Sequence, residues 1–301
     1  MATLNPIVSG LTAYVDDQAN RDQLISKTVL GANSTKFMNL NTGVKGATNL
    51  HIMSTDVVLQ DGATCGWSEA GSTEYSAKVI EPKMYKVNMA FCEKNLLSTY
   101  LNYAVKVAAT ENAIPFEQMW LDEIAKGIAK QIDAMIWLGD GSGIKFKGLI
   151  PQMTADGQVV KVTRTEGTSA YEAIKAVYAK MKEEIILAED AMIYVSPAIF
   201  RAYVQDLVAA NLYHTNASDV DGMYKLPGTN INVVAINGLV GSDAIVAARQ
   251  SNLYYGCDLE NDKEQFDVWF SQDNREFRIA VEFNAGVAYA FGDEIVLSTI
   301  A

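Results

Sequence analysis

The chain has 301 residues, 49% of them hydrophobic, and a formal net charge of -12 at pH 7, so it can form one large or two smaller domains with a hydrophobic core. The acidic excess is concentrated in residues 186–301, which contain six basic and sixteen acidic side chains. This balance argues against a surface that wraps nucleic acid, because phosphate binding depends on clustered Lys and Arg.

The N-terminal region contains little that could form a core of its own. Residues 1–45 mix small, polar and isolated apolar side chains, and only residues 22–30 have an approximately helical spacing of apolar positions. We therefore predict an N-terminal arm that packs on another part of the structure.

Two strand-like segments follow the arm. Residues 49–59 are rich in Ile and Val, and apolar residues alternate with polar ones over residues 85–91, as expected for half-buried strands. We predict that these two strands pair as an antiparallel hairpin.

The stretch between these strands, Gln60–Lys78, contains three glycines. Its few large apolar or thiol side chains are Cys65, Trp67 and Tyr75. Such a hairpin tip cannot bury much of itself, so we expect it to pack on a neighbouring subunit.

Two helices are predicted next, because apolar residues recur at spacings of three and four. The first covers residues 93–109. The second covers residues 115–138 and begins with Pro115, which suits a first helical turn. The glycine-rich run at 139–143 ends it abruptly.

The following region, residues 168–250, alternates helical and strand-like patterns after a turn-rich stretch at 148–167. We predict helices at 169–186 and 196–210, strands at 191–195 and 231–236, and another short apolar element at 243–248. This alternation indicates an α/β module. The end of the chain is sheet-like, with alternation over 277–283 and 287–291 around Asn284-Ala285-Gly286, which predicts a terminal β-hairpin.

Residues suited to catalysis or metal binding are scarce. The two histidines, His51 and His214, accompany no Gly-x-Ser-x-Gly motif and form no His-x-x-x-His pair. Cys65, Cys92 and Cys257 are scattered singly, so we predict neither a disulfide framework nor a zinc knuckle.

Three short motifs resemble ligand sites but do not meet their requirements. The run at 139–143 follows a helix and lacks the Walker spacing, so we interpret it as a helix stop. The motif at 219–222 lacks the first carboxylate and the bidentate Glu of a calcium loop. The acidic run at 258–264 is interpreted as a solvated face. We therefore predict no catalytic, cofactor-binding or metal-binding residues and no enzyme activity. With no run of roughly 18 apolar residues, we also expect no membrane partner.

Several short phrases occur in an order that resembles one known family. These are Gly43–Gly46, Cys65–Trp67, Phe91–Leu96, Ile136–Leu149 and Tyr194–Pro197. They are similar, respectively, to two parts of the extended loop, the entry to the next helix, the end of the spine helix with its turn, and the strand-to-helix step of the axial domain in tailed-bacteriophage major capsid proteins. The resemblance spans nearly the whole chain.

The resemblance implies an α+β fold of the Hong Kong 97 type. It implies the following division: an N-terminal arm at 1–45, an extended loop at 46–91, a peripheral domain at 92–167 with its spine helix at about 115–138, an axial domain at 168–250, and β-strands returning to the peripheral domain at 251–301.

The resemblance also implies a function and partners. The chain would be a major capsid protein that self-assembles into hexamers and pentamers around a phage genome. It would be assembled in the bacterial host cytoplasm and found in the virion. Its partners would be copies of itself, portal and scaffolding proteins, with at most weak nucleic-acid contact on the inner face. An encapsulin-type nanocompartment shell protein is the alternative, and a soluble α/β enzyme is a more distant one.

The candidates for subunit contacts are residues of the loop tip and the aromatic stripe of the long helix: Cys65, Gly66, Trp67, Tyr75, Phe116, Trp120 and Trp137. Some family members form a Lys–Asn isopeptide bond. Lys78, Lys83 or Lys86 and Asn284 with Glu282 are available here, but lysines are ordinary on exposed strands and we do not predict this bond.

Overall fold

The structure, a computed structural model, describes residues 23–24, 27–60, 67, 70–92, 116–212, 222–258 and 266–300. Several sequence predictions lie outside these residues: the helix at 93–109, Cys65, Gly66, His214, Asp219–Asp221 and most of the acidic run at 258–264.

Two sheets form the body of the subunit. The first contains β1 (Asn39–Asn41), β4 (Lys83–Cys92), β10 (Leu253–Cys257), β11 (Phe266–Ser271) and β12 (Glu276–Tyr289). β12 is central, because its residues 276–281 pair antiparallel with both β4 and β11, and its C-terminal part pairs with β10. β1 joins the edge of β10 in parallel, so the N-terminal segment is part of this sheet.

The second sheet has the order β5-β13-β9-β6-β8-β7. Its strands are β5 (Val160–Arg164), β6 (Ala191–Val195), β7 (Met223–Lys225), β8 (Asn232–Ala235), β9 (Ile245–Arg249) and β13 (Val296–Ile300). The sheet therefore takes its β5 and β13 edge from residues outside 168–250. The predicted division assigns β5 and β13 to the peripheral domain. In the structure, both strands pair within the second sheet.

The described α-helices are α1 (Phe116–Leu138), α2 (Leu149–Ala155), α3 (Ala170–Tyr178), α4 (Glu183–Ile186) and α5 (Pro197–Ala209). Ser169 and Ser196 cap α3 and α5 by accepting hydrogen bonds from backbone N–H groups. The predicted α/β module is confirmed. The single helix predicted at 169–186 is two helices, because the chain turns between α3 and α4. The stretch predicted to be turn-rich contains α2 and β5.

The predicted pairing of the first hairpin is wrong. β2 (Thr48–Val57) pairs antiparallel with β3 (Gly71–Ile80), which lies in the stretch predicted to be the tip. β4 instead pairs with β12 over ten residues. The apolar positions of β4 alternate because they face the main core and not because they pair with β2. Tyr85 is buried in this core, and Val87, Met89 and Phe91 pack against it.

The predicted terminal hairpin is also wrong. β12 runs without a turn through Asn284, Ala285 and Gly286. Packing favours glycine at position 286, because a Cβ there would lie 2.9 Å from the Pro82 Cα. The glycine therefore permits a close approach between two segments of the fold, and its presence in a strand interior reflects this contact.

The long helix α1 connects to both the N-terminal segment and the second sheet. The Asp133 carboxylate accepts hydrogen bonds from the Ser34 backbone N–H at 3.0 Å and from the Ser34 hydroxyl, and the Trp137 Nε1–H donates to Ser34 Oγ at 2.7 Å. Burial raises the pKa of Asp133, although hydrogen bonds from Ser34 and from the Gly238 backbone act in the opposite direction. We call Ser34, Asp133, Trp137 and Gly238 the helix junction.

Candidate assembly surface

The β2–β3 hairpin and its tip present a group of exposed large apolar side chains. Met53, Val57, Leu59 and Tyr75 are exposed, and Trp67 at the tip is 95% exposed. A two-stranded hairpin is marginally stable alone in water, and contiguous apolar patches mark interaction sites in soluble proteins. The hairpin is therefore the candidate contact surface of this subunit.

The two faces of the hairpin differ in their surroundings. The register pairs Leu50 with Lys78 and Ile52 with Ser76 on one face, where Ile52 and Ile80 are buried and Leu50 and Lys78 are partly buried. We call this the body-side face. The opposite, outer face is exposed at all ten of its positions, which are Asn49, His51, Met53, Thr55, Val57, Gly71, Thr73, Tyr75, Ala77 and Val79.

A small apolar cluster holds the base of the hairpin. Ile80 packs with Val44 and Ala288, and all three are buried. Gly256 makes room for this contact, because a Cβ at that position would lie 3.0 Å from Ile80 Cγ2 and 3.1 Å from Val44 Cγ2. The cluster is separate from the two larger cores, so the hairpin leaves the body from a narrow base.

Beside this cluster, three side chains link the hairpin to the body, and we call them the hairpin clamp. Lys78 Nζ on β3 lies 2.6 Å from the Asp156 carboxylate, which follows α2. The Tyr289 hydroxyl on β12 donates to the same oxygen at 2.8 Å, and the Lys78 ammonium lies 4.9 Å from the centroid of the Tyr289 ring. Each residue comes from a different element, so the clamp fixes the hairpin relative to both β12 and α2.

The clamp lowers the pKa of its carboxylate. Burial by itself would raise the pKa of Asp156, but hydrogen bonds from Lys78, the Gln158 backbone N–H and Tyr289, together with the Lys78 charge, outweigh it and lower the pKa to about 2. The folded-state value is below the ordinary one, so the clamp's contribution is fully present above about pH 4. It is lost as the pH falls towards 2.

We expect Asp156→Asn to loosen the hairpin base without unfolding the subunit. The Lys78–Asp156 pair is partly buried. It holds a hairpin with a narrow base, and a segment held by few contacts opens locally before the whole subunit unfolds. Hydrogen exchange at β3 amides should accelerate while the urea midpoint stays nearly constant. Asp140→Asn, an exposed carboxylate near Lys145, is the control. Unchanged β3 exchange in Asp156→Asn would contradict this role.

A second apolar surface lies beside α1. A groove of about 510 Å³ runs between α1 and β4 and is lined by Met89, Phe91, Trp120, Ile124 and other apolar side chains. Trp120 packs edge-on against Phe91, with ring centroids 4.8 Å apart. Trp120 is thus partly buried within its own subunit while also lining this helix–strand groove.

The structure separates the predicted contact residues into distinct environments. Trp67 and Tyr75 are exposed on the hairpin, Trp120 lines the groove, and Phe116 begins α1. Trp137 is fully buried and belongs to the helix junction. The prediction that Trp137 contacts another subunit is therefore wrong. The aromatic stripe of α1 contains both core and surface positions, and the sequence pattern does not separate them.

Sequence reasoning missed Met53 and Val57 of the outer face and Asp156 and Tyr289 of the clamp. The period-two pattern of β2 could have placed Met53 and Val57 on one face of the strand. Asp156 and Tyr289 are distant in the sequence, and only the fold brings them together. Of the isopeptide candidates, Lys86 lies opposite Glu282, and Asn284 lies two residues further along the same face of β12, opposite Met84. No bond between them is predicted.

The described residues include no group of three or more His, Cys, Asp or Glu side chains placed to hold a metal ion. None of the helices described is long and apolar enough to cross a membrane.

Comparison with known proteins identifies the fold. No family model matches the chain, and no curated protein matches it. Among solved structures, the capsid of the native GTA particle is 14% identical, with a TM-score of 0.59 over 92% of this chain and 91% of that chain. The Microbacterium phage Oxtober96 structure is 11% identical, with a TM-score of 0.58 over 90% and 91%. A virus-like particle from Pyrococcus furiosus is 7% identical, with a TM-score of 0.54 over 98% and 100%.

These likenesses define a class of fold: the chain has an α+β capsid-protein fold along nearly its whole length. The predicted fold class, of the Hong Kong 97 type, is confirmed. At these identities the likeness establishes the fold alone.

Proposed function

We propose that the chain is the major capsid protein of a tailed bacteriophage. In this proposal it self-assembles into hexamers and pentamers that form the icosahedral head shell around the phage genome, so its place is the virion. The observation that carries the proposal is the capsid-protein fold over about nine tenths of the chain. The exposed apolar hairpin supports it independently, because it requires a partner to bury it.

The domain roles follow from the same proposal. Residues 1–45 act as an arm, and the chain beyond residue 91 forms peripheral and axial regions. Residues 46–91 contain the extended loop, which is the β2–β3 hairpin, and also β4, which pairs with β12 in the body. Contacts between unlike surfaces close into rings when the rotation between copies closes, and a hairpin that leaves the body through a narrow base can reach across to a neighbouring subunit. Trp67, Tyr75 and Trp120 are proposed as contact residues, with Cys65, Gly66 and Phe116 retained from the sequence.

Further partners belong to the proposal as well. A portal and scaffolding proteins would act during assembly in the host cytoplasm. Nucleic acid would be contacted weakly at most, because the C-terminal part of the chain is strongly acidic. No catalytic activity is part of the proposed role.

An encapsulin-type shell protein is the second candidate. The observation that favours it is the likeness to a virus-like particle, which covers 98% of this chain and 100% of that chain. The two candidates differ in cargo: one encloses a genome and the other encloses enzymes.

Negative-stain electron microscopy with size-exclusion chromatography of the purified chain tests both candidates. Shells, hexamers or pentamers are expected. Nucleic acid or an empty interior would favour the phage shell, and a packaged host enzyme would favour the nanocompartment. A chain that stays monomeric alone and with coexpressed scaffolding protein would contradict both and favour the soluble enzyme.

The hairpin tip can be removed without disturbing its strands. Val57 and Gly71 form the last register pair, so replacing residues 58–70 by Asn-Gly gives a two-residue hairpin turn. We expect a subunit of nearly unchanged stability that assembles poorly, measured by urea unfolding and by the yield of particles. As a control, the exposed Leu187, which directly follows α4, is replaced by Ala. Normal particle yield from the tip replacement would contradict a contact role for the tip.

A further inference from the structure

The outer face of the hairpin carries no fixed charge. Asp, Glu, Lys and Arg are absent from its ten positions, all of which the structure describes, and His51 is its one histidine. The charged residues of these two strands, Asp56, Glu74 and Lys78, occupy register positions of the body-side face. Charged residues are therefore confined to the body-side face over the full length of both strands.

His51 lies in the second of the five register pairs of this face, counted from the base of the hairpin. Its register partner is Ala77, and the next pairs on either side are Asn49 with Val79 and Met53 with Tyr75. Tyr75 is the other titratable side chain of the face. Lys78, the one cation of these two strands, lies on the body-side face and is bound to Asp156. Within the described chain, β3 is the element that packs along β2.

From this geometry we propose that His51 makes subunit assembly sensitive to pH through the outer face. The inference rests on the proposed function, in which a second copy of this chain covers that face. Assembly would require His51 to be neutral, because the core of a protein interface is depleted of charge. Burying an imidazolium among Met53, Tyr75 and Val79 without a carboxylate would be costly.

The direction of the effect follows from the ionisation. Lowering the pH from 7.5 to 5.5 charges histidine and leaves most carboxylates ionised. A contact that accepts only the neutral imidazole therefore weakens as the pH falls. We expect the subunit concentration needed for assembly to rise by about tenfold over this interval, because the neutral fraction of an ordinary imidazole falls from about nine tenths to about one tenth.

The chain contains a matched control, since its only other histidine is His214. Light scattering and size-exclusion chromatography at pH 7.5 and 5.5 would measure the assembly concentration of the full chain, and circular dichroism would monitor folding. We expect His51→Gln to assemble equally at both pH values and His214→Gln to keep the pH dependence. His51→Lys, permanently charged, should assemble poorly at both.

Three results would overturn this inference: assembly of the wild-type chain that does not change with pH, pH dependence that persists in His51→Gln, or stronger assembly in acid that requires His51. The last would mean that a carboxylate faces the imidazolium. An absence of particles at every pH, with scaffolding protein coexpressed, would instead overturn the proposed function itself, so the two failures are distinguishable.

Discussion

Gly238→Ala should lower the free energy of unfolding of the isolated subunit by about 3 kcal/mol, because overpacking a dense contact forces backbone movement. Gly238 lies in the 3-10 turn that follows β8 and packs directly on α1. A Cβ at this position would lie 2.2 Å from the Asp133 carbonyl oxygen and 2.6 Å from Trp137 Cδ1. Backbone cannot move aside as a flexible side chain can, so α1 and the second sheet would have to separate.

The control for this prediction is the same substitution on the helix that Gly238 contacts. Gly127 lies in α1 with nothing within 4 Å of its ideal Cβ position, and Ala is favoured over Gly in a helix by about 0.5–1 kcal/mol. Urea unfolding of both variants should therefore give shifts of opposite sign. A loss below about 0.5 kcal/mol in Gly238→Ala would show that the helix junction is looser than its contacts indicate.

The parts of the fold that were predicted correctly have strong local signals. β6 has the predicted limits, 191–195, and α1 and α5 begin within one residue of their predictions. α1 has a long apolar stripe and a stop at Gly139, and α5 has Ser196 as a capping residue with Pro197 in the first turn. Capping and periodicity act within one or two turns of chain, so a sequence displays them directly.

The errors arose where long-range packing decides the outcome. Alternation in β4 marks a half-buried strand but does not name its partner, and the partner is β12, almost two hundred residues away. The sequence around Gly286 predicts a turn, because glycine is common in turns, whereas in the structure Gly286 lies within a strand and its small size allows a close approach to Pro82. A period-two pattern predicts a strand and leaves its pairing open.

The candidate contact surface was predictable only in part. The poor core of the tip predicted exposed residues there, and Trp67 and Tyr75 are exposed as expected. The clamp could not be predicted, because Lys78, Asp156 and Tyr289 are far apart in sequence and each alone is an ordinary residue. The outer face required the register of β2 with β3 before its lack of charge became visible.

Trp137→Ala should lower the free energy of unfolding by about 3–5 kcal/mol, the usual cost of removing a large aromatic side chain from a core. Trp137 is completely buried, packs against Tyr194 with ring centroids 5.4 Å apart, and donates a hydrogen bond to Ser34. Its removal would leave a cavity and also deprive the Ser34 hydroxyl of a donor. The particle yield of Trp137→Ala should fall only in proportion to the fraction of subunits that is unfolded.

Trp67→Ala is the counterpart, because the same side chain is removed from an exposed position. Its unfolding free energy should stay within about 0.5 kcal/mol of the wild-type value, while particle yield falls if the tip contacts a neighbour. Measuring urea unfolding and particle yield for both variants separates a folding role from a contact role. Wild-type stability in Trp137→Ala would contradict its buried position, and wild-type particle yield in Trp67→Ala would remove Trp67 from the proposed contact.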